Sequence, residues 1–190
     1  MSVVLATHNQ GKIAELRGVL GPLGWDICST AEFDLKEPVE DGETFEANAL
    51  IKAQAAADAT GLWSLADDSG LEVEALDGEP GVQTAYYGGW EKLLGAMETL
   101  KTEAERKARF VCVLALVRSG EEPLFFTGIC DGHIAMQGLG EGGFGYDPVF
   151  IPSGETLTFA QMGKAEKHRF SHRGKAVNAL LAWAQADTRE

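Results

Sequence analysis

The stretch LWSLADDSGLEVEALDGEPG, residues 62–81, combines the strongest strand signals of the chain with two adjacent carboxylates. Its apolar start, residues 62–66, predicts a buried strand that ends at Asp67 and Asp68, and the alternation of apolar and acidic residues after the pair predicts a second, half-exposed strand. Adjacent side chains of an extended chain point to opposite faces, so the two carboxylates are expected to have different roles. An Asx turn built with Ser69 is the structural alternative, but such a turn needs only one carboxylate.

The segments before this stretch predict alternating strands and helices. SVVLAT predicts a short buried strand, and NQGK after it predicts a tight turn into a helix that has one apolar face and ends at Gly21. WDICST predicts a second strand. An alanine-rich helix is expected to begin after Thr44 as its N-cap and to end at Gly61.

The segments after it predict antiparallel strands and a closing helix. ARFVCVLALVRSG and EPLFFTGICDGHIAM predict a long hairpin that turns around residues 119–122, and Val177, Leu180 and Ala184 share one face of the last helix. Early alternation followed by a late hairpin favours an α/β fold with a long, mixed, twisted β-sheet flanked by helices. Since no linker, repeat or low-complexity segment interrupts the sequence, residues 1–190 are expected to form a single domain.

Composition and charge narrow the classes of partner. The 190 residues are 45% hydrophobic, and 16 basic against 29 acidic residues give a net charge of −13, which disfavours nucleic acid and anionic membranes as partners. The three cysteines are too few and too scattered for a disulfide framework, and buried thiols are expected at Cys28 and Cys112. The N-terminal segment does not resemble a signal peptide, and the longest apolar run is far too short to span a bilayer. These features predict a cytoplasmic protein.

Two nucleotide-binding motifs are disfavoured by their context. GLGEGG, residues 138–143, formally fits G-x-G-x-x-G, but that motif requires a helix to follow. Here the β-prone segment FGYDPVFIP follows, so a flexible glycine loop is expected instead of a Rossmann site. None of the three Gly-Lys pairs has the upstream glycine of a P-loop.

Positive charge is concentrated where an anion could bind. KAEKHRFSHRGK, residues 164–175, holds five of the 16 basic residues against a single acid, and Ser171 is expected to cap the final helix. The turn THNQGK offers backbone N–H groups, Asn9 and Lys12 at the start of the first helix. The alternatives are a solvated helix flank for the first segment and an ordinary turn for the second.

A second acidic segment, EPVEDGE, adds carboxylates to the Asp67–Asp68 pair. Separated carboxylates that converge on one point, opposite cationic groups, are what Mg²⁺ and a polyphosphate require. Glu40 and Asp41 are the candidates in this segment.

Five motifs together resemble a known family. SVVLATHNQGK, EDGETFEANALIKA, ADDSGLEVEALDGEPGV, GFGYDPVF and SHRGKA occur in this order and cover nearly the whole chain. They resemble the inosine triphosphatase-like family, and within it the bacterial dITP/XTP pyrophosphatases, which act on noncanonical purine nucleoside triphosphates. The resemblance implies a Mg²⁺-dependent, homodimeric enzyme with two lobes and an active-site cleft between them. It also implies hydrolysis of ITP, dITP and XTP to the monophosphate and pyrophosphate, which cleanses the nucleotide pool.

The resemblance also implies a set of site residues. Asp68 would be the proton acceptor and a metal ligand, and Glu40 would be the other magnesium ligand, with Asp41 left open. The residues expected to bind the substrate are Thr7, His8, Asn9, Gln10, Gly11, Lys12, Ser69, Phe144, Gly145, Tyr146, Asp147, Lys167, His172 and Arg173.

The expected selectivity depends on the group at purine C6. Donors such as Arg173, His172 or nearby amides would pair with a keto oxygen and would be left unsatisfied by the amino group of adenine. Phe144 or Tyr146 is expected to stack on the base, with core packing as an equally plausible role for either ring.

Two other functions are possible on the residues alone. One is a domain that binds or senses a purine triphosphate without cleaving it, although pure binding does not require the paired acids. The other is a phosphatase that forms an aspartyl-phosphate, but the spacing Asp67-Asp68-Ser69 does not match Asp-x-Asp-x-Thr.

Overall fold

The protein is described here from a computed structural model, which covers residues 1–187 apart from the side chains of residues 15 and 187. The elements in chain order are β1 (Ser2–Leu5), α1 (Gln10–Leu20), β2 (Asp26–Ser29), α2 (Phe45–Thr60), β3 (Trp63–Val73), α3 (Trp90–Ala96), β4 (Lys107–Val117), β5 (Leu124–Ile134), β6 (Phe150–Pro152), α4 (Lys164–Phe170) and α5 (His172–Asp187). None of the helices within residues 1–187 is long and apolar enough to cross a membrane.

The strands form one mixed sheet, which confirms the predicted α/β class. Its six strands follow the order β2-β1-β3-β4-β5-β6. β1 pairs in parallel with β2 and with β3, so Leu5 lies opposite both Ser29 and Leu65, whereas β6 pairs antiparallel with β5. Residues 118–123 alone connect the neighbours β4 and β5. Because a parallel pair needs a crossover of about a dozen residues or more, these two strands form the predicted hairpin.

The strand that was predicted to end at the carboxylate pair does not end there. β3 runs unbroken from Trp63 to Val73, so Asp67 and Asp68 lie in its middle. Charged residues interrupt the apolar pattern, but a carboxylate is tolerated inside a sheet when a cation at ion-pair distance compensates it. Lys12 supplies that cation to Asp67, as shown below.

The helix ends follow the signals predicted at Thr44, Gly61 and Gly21. Asn9 caps α1, Thr44 accepts from the Ala47 N–H at 3.1 Å to cap α2, and Gly61 ends α2 in the left-handed conformation with φ 69°. α1 ends at Leu20 with Gly21 as its C-cap, which confirms the predicted end of the first helix, although Gly21 itself is right-handed with φ −52°. Gly21 continues into a short 3₁₀ helix, and the left-handed turn with φ 72° falls at Gly24.

The chain divides into two compact units. The first comprises residues 1–68, 113–127 and the chain from 176 onward, and the second comprises residues 69–112 and 128–175. Because β3, β4 and β5 each contribute residues to both units, no linker separates them in sequence. A single domain with a cleft between two lobes stays a prediction.

The first unit is built on the contact between α2 and β1. Val3, Val4 and Leu5 are fully buried, and so are Ala49 and Ala53 on the alanine-rich side of α2. Small side chains let a helix approach a sheet closely, which explains the high alanine content of this helix. Cys112 is fully buried, as expected, whereas Cys28 is only partly buried.

The second unit has an aromatic core and a buried arginine. The rings of Phe110, Phe150 and Phe159 contact one another, with centroids 4.7 to 6.0 Å apart. Arg106 is 3% exposed and donates to the carbonyl oxygens of Met97, Leu100, Ile134 and Ala135 at 2.7 to 3.1 Å. Burial lowers the pKa of Arg106. The side chain therefore joins the end of α3 to the end of β5 through its hydrogen bonds.

Candidate active site

The first unit brings Glu40 and Asp68 to the same ammonium group. Lys52 on α2 places its Nζ 2.7 Å from Glu40 Oε2 and 3.7 Å from Asp68 Oδ1. Glu40 comes from the irregular segment before α2, and Asp68 comes from the middle of β3. Two carboxylates from separate parts of the chain therefore converge on one cation.

Lys52 is largely buried in a negative environment. Its side chain is 12% exposed. Burial alone would lower the pKa of Lys52, but the hydrogen bond from its ammonium to Glu40 and the charges of Asp68, Asp67 and Glu40 outweigh that effect, so the pKa is raised. The ammonium is therefore charged at neutral pH and offsets part of the acidic cluster.

Asp67 is paired with a different lysine. The Lys12 Nζ lies 2.8 Å and 3.0 Å from the two carboxylate oxygens of Asp67, whose side chain is 3% exposed. Lys12 belongs to the first turn of α1, whereas Lys52 belongs to α2. The predicted division of roles between the two aspartates agrees with this pairing.

The turn before α1 is organised by Asn9. Its Oδ1 accepts from the N–H groups of Gly11 and Lys12 at 3.0 and 3.1 Å, and its own N–H donates to Thr7 Oγ1 at 3.1 Å. Two of the amides that an anion could have used are thus satisfied by Asn9. Gln10 and Gly11 are exposed at the positive end of the helix dipole.

His8 is held by the segment that follows β2. Its backbone N–H donates to Glu37 Oε1 at 3.2 Å, and its Nε2 lies 2.9 Å from the Leu35 carbonyl oxygen. A carbonyl can only accept, so this contact requires the tautomer protonated at Nε2. His8 is therefore a structural link in the turn as well as a predicted substrate contact.

The second unit brings Phe144, Asp147 and Lys167 together. Asp147 is 4% exposed, and its Oδ2 accepts from the Phe144 N–H at 2.8 Å and from Lys167 Nζ at 2.5 Å. Lys167 also lies 4.9 Å from the centre of the Phe144 ring. Gly143 completes the turn with φ 71°, where a Cβ would lie 1.9 Å from Asp147 Oδ2. These contacts fix the loop that carries Phe144.

The two aromatic candidates have different surroundings. Phe144 is 72% exposed, whereas Tyr146 is 5% exposed and its hydroxyl donates to the Thr84 carbonyl at 3.1 Å. The Tyr146 ring belongs to the core of the second unit, so it offers no face to a base. Of the two rings, Phe144 remains the one suited to stacking.

The remaining predicted residues lie in the second unit, either at the start of α5 or in β3 and the Phe144 loop. His172 stacks on Phe110 with ring centroids 4.8 Å apart, and Arg173 follows it in a partly buried position. Ser171 Oγ accepts from the Gly174 N–H at 3.0 Å and so caps α5 as predicted. Ser69 is the first residue of this unit and is partly buried in β3, whereas Gly145 is exposed beside Phe144.

Sequence reasoning missed Lys52. The signal was present, because Lys52 is the single basic residue in the alanine-rich segment 45–60. A lone lysine near the middle of a helix that packs on a sheet must neutralise a negative charge in the interior or reach solvent.

In the part of the chain that the structure describes, no cluster of three or more histidine, cysteine, aspartate or glutamate residues could hold a metal ion. Magnesium needs only one or two protein carboxylates, so the Glu40–Asp68 pair is sufficient in number.

Comparison with known proteins places this chain in a family. The model of the Ham1 family matches residues 3–183. A dITP/XTP pyrophosphatase of Thermus thermophilus is 53% identical over 188 residues, covering 95% of this chain and 90% of that protein. The dITP/XTP pyrophosphatase of Vibrio parahaemolyticus is 45% identical, with 98% of both chains covered. Among solved structures, the Ham1 protein of Staphylococcus aureus superposes with a TM-score of 0.90 at 38% identity, covering 98% of this chain and 100% of that one.

Proposed function

The chain belongs to the Ham1 family, and from this premise we propose that it hydrolyses noncanonical purine nucleoside triphosphates such as dITP, ITP and XTP to the monophosphate and pyrophosphate with Mg²⁺. Its relatives at 45% to 53% identity are named dITP/XTP pyrophosphatases. The observation that carries the proposal is the convergence of Glu40 and Asp68 on one buried ammonium. A non-catalytic binding domain would have no need of that pair.

The Glu40–Asp68 pair fits a divalent metal ion in its donor chemistry. Both groups offer hard carboxylate oxygens, and a cation already lies between them in the form of the Lys52 ammonium. When bound there, Mg²⁺ would polarise the phosphoryl oxygens and offset the charge that develops as pyrophosphate leaves. Glu40 and Asp68 would hold it. Asp41 lies on the same segment but makes no ion pair with Lys52 in the described part of the chain, which makes it the weaker candidate.

The residues of the first unit would act on the phosphates. Asp68 would orient the attacking water and accept its proton, since its side chain is 16% exposed and thus within reach of solvent. Lys12 and the N-terminal end of α1 would attract the phosphate oxygens, with Thr7, His8, Asn9, Gln10 and Gly11 forming the turn around them. Asp67 would hold Lys12 in place through the partly buried ion pair.

The residues of the second unit would recognise the base. The exposed Phe144 ring would stack on the purine, and the Asp147–Lys167 pair would keep the loop in position. Arg173 and His172 would donate toward the C6 oxygen of hypoxanthine or xanthine. Adenine carries an amino group there and would leave those donors unsatisfied, which can reject a substrate by roughly 10⁴-fold.

Product analysis tests the proposal against its alternatives. The protein is incubated with dITP, ITP, XTP, GTP and ATP in the presence of Mg²⁺, and pyrophosphate, orthophosphate and monophosphate are measured. We expect pyrophosphate from dITP, ITP and XTP at far higher rates than from ATP. Orthophosphate as the product would favour the aspartyl-phosphate phosphatase, and binding without product would favour the sensing domain. Equal rates on all five substrates would retain the pyrophosphatase but contradict its selectivity.

The assembly and location expected from the family resemblance remain part of this proposal. We propose a cytoplasmic homodimer whose partner is a small nucleotide instead of a nucleic acid or a membrane. The net charge of −13 supports the exclusion of anionic polymers. Light scattering at several protein concentrations tests the dimer.

A further inference from the structure

We propose that the Lys52 ammonium is the resident cation of the Glu40–Asp68 pair, and that it leaves this position when a divalent metal ion binds. This inference rests on the proposed function, because it takes Glu40 and Asp68 as the metal ligands. It makes Lys52 a positioning residue that keeps the two carboxylates together before the metal arrives. It also predicts that the lysine and the metal compete for the same oxygens.

The geometry places the ammonium where a shared cation must lie. Lys52 Nζ is 2.7 Å from Glu40 Oε2 and 3.7 Å from Asp68 Oδ1. Magnesium binds oxygen at about 2.0–2.1 Å, so it would need the oxygens that now face the ammonium. Lys52 extends from α2 and Asp68 lies within β3, whereas Glu40 belongs to an irregular segment. The ion pair therefore fastens the irregular segment that carries Glu40 to two regular elements.

The charged groups around Lys52 explain why its ammonium acts as the cation of the Glu40–Asp68 pair. Three carboxylates, Glu40, Asp67 and Asp68, face two ammonium groups, and Lys12 is engaged with Asp67. Without Lys52, Glu40 and Asp68 would repel each other at short range. With Lys52 and a divalent ion together, the cations would repel instead. With the charge of Lys12 included, the three carboxylates leave two negative charges, which a single divalent ion neutralises without Lys52.

The first unit has room for the displaced side chain. Lys52 lines a cavity of about 210 Å³ whose wall also contains Glu37 and Lys36. Glu37 offers a carboxylate to which the ammonium could turn. The side chain of Lys52 has four rotatable bonds, so such a change needs no movement of α2.

Metal titration without nucleotide tests this competition. Mn²⁺ is titrated into the wild-type protein and into Lys52→Met, and free Mn²⁺ is counted from its electron paramagnetic resonance signal. We expect Lys52→Met to bind Mn²⁺ about tenfold more tightly, because a unit charge a few ångströms from the metal is removed. Lys36→Met is the matched control, since it removes an exposed charge from the same cavity wall and should change the affinity less than about twofold. An equal gain in both variants, or no gain in Lys52→Met, would overturn the inference.

A second measurement uses the wild-type protein and so does not depend on how the variant folds. Lysines are modified with an amine-reactive reagent with and without Mn²⁺, and the extent at each lysine is read by peptide mass spectrometry. We expect the modification of Lys52 to rise severalfold with Mn²⁺ while that of Lys36 is unchanged. An unchanged Lys52 would contradict displacement while leaving the proposed function intact. Absence of Mn²⁺ binding in every protein would instead reject the metal site of the proposed function, and this inference with it.

Discussion

Asp67 and Asp68 are consecutive residues of β3, yet each is paired with a different lysine from a different helix. Lys12 of α1 holds Asp67 at 2.8 Å, and Lys52 of α2 lies 3.7 Å from Asp68. The alternation of side chains along a strand explains the divergence. The tight pair serves the stability of the first unit, and the looser pair leaves Asp68 able to engage other partners.

Replacement of the two aspartates should therefore have separable effects. We expect Asp68→Asn to lower turnover by roughly 10²-fold or more, because both the general base and a metal ligand are damaged. Asp67→Asn should lower the free energy of unfolding by about 2 kcal/mol, since Lys12 loses its counter-charge in a partly buried site, and should lower turnover less than Asp68→Asn does, because only the position of Lys12 is disturbed. Pyrophosphate release and urea denaturation measure the two quantities. Near-normal hydrolysis by Asp68→Asn would refute its role.

The acidic segment before α2 offers a test of the metal ligand. We expect Glu40→Gln to raise the Mg²⁺ concentration for half-maximal activity by at least about tenfold, a change that even a supporting group can cause. Asp41→Asn changes the next residue, which makes no ion pair with Lys52 among the described residues, and should change this concentration by less than about twofold. Activity measured over a series of Mg²⁺ concentrations distinguishes them. A larger effect of Asp41→Asn than of Glu40→Gln would instead assign Asp41 as the metal ligand.

The turn at Gly143 should control the Phe144 loop. Gly143→Ala would place a Cβ 1.9 Å from Asp147 Oδ2 at a φ of 71°, so we expect the loop to shift and the KM for dITP to rise about tenfold. Gly154→Ala is the control, because Gly154 has a φ of 86° but no atom within 4 Å of the added carbon. It shares the backbone strain without the clash. If the KM rises equally in both variants, the contact of Gly143 with Asp147 does not control recognition of the base.

The buried Arg106 should be essential for stability. Arg106→Met would remove the guanidinium donor from four carbonyl oxygens, so we expect the free energy of unfolding to fall by about 3 kcal/mol or more. Arg109→Met removes a side chain that is 50% exposed and paired with Glu72, and it should cost less than about 1 kcal/mol. Urea denaturation of both variants provides the comparison. Similar losses would mean that the carbonyl contacts of Arg106 contribute little.

Cys130 predicts a stability change at high pH. Burial raises the pKa of the Cys130 thiol to about 11 from its ordinary value of 9.0, with smaller opposing effects of Lys175 and Asp131. The folded protein therefore holds a proton that the unfolded chain releases between these values. The stabilisation is complete below pH 9 and is lost as the pH rises through 11. We expect the unfolding temperature to fall more steeply over this range in the wild type than in Cys130→Ala, and parallel curves would contradict the burial effect.

The helix caps and the β4–β5 hairpin show how much of the fold the local sequence pattern predicts. Thr44, Gly61 and Ser171 were recognisable as caps because capping depends on a few neighbouring residues. The hairpin of β4 and β5 was recognisable because strand propensity and a turn occur together. The same local reasoning placed a strand end at Asp67, because a local pattern contains no information about a lysine 55 residues away in sequence.

The sequence by itself determined the fold class, the family and the residue types available for chemistry. Five motifs and the alternation of strands and helices are sufficient for that, since they are properties of consecutive residues. Tertiary structure decided which of those residues meet. It put Glu40, Lys52 and Asp68 around one point, buried the ring of Tyr146 and left that of Phe144 exposed. The physical reason is that burial and ion pairing depend on contacts between segments distant along the chain, and such contacts exist only after the sheet and helices have packed.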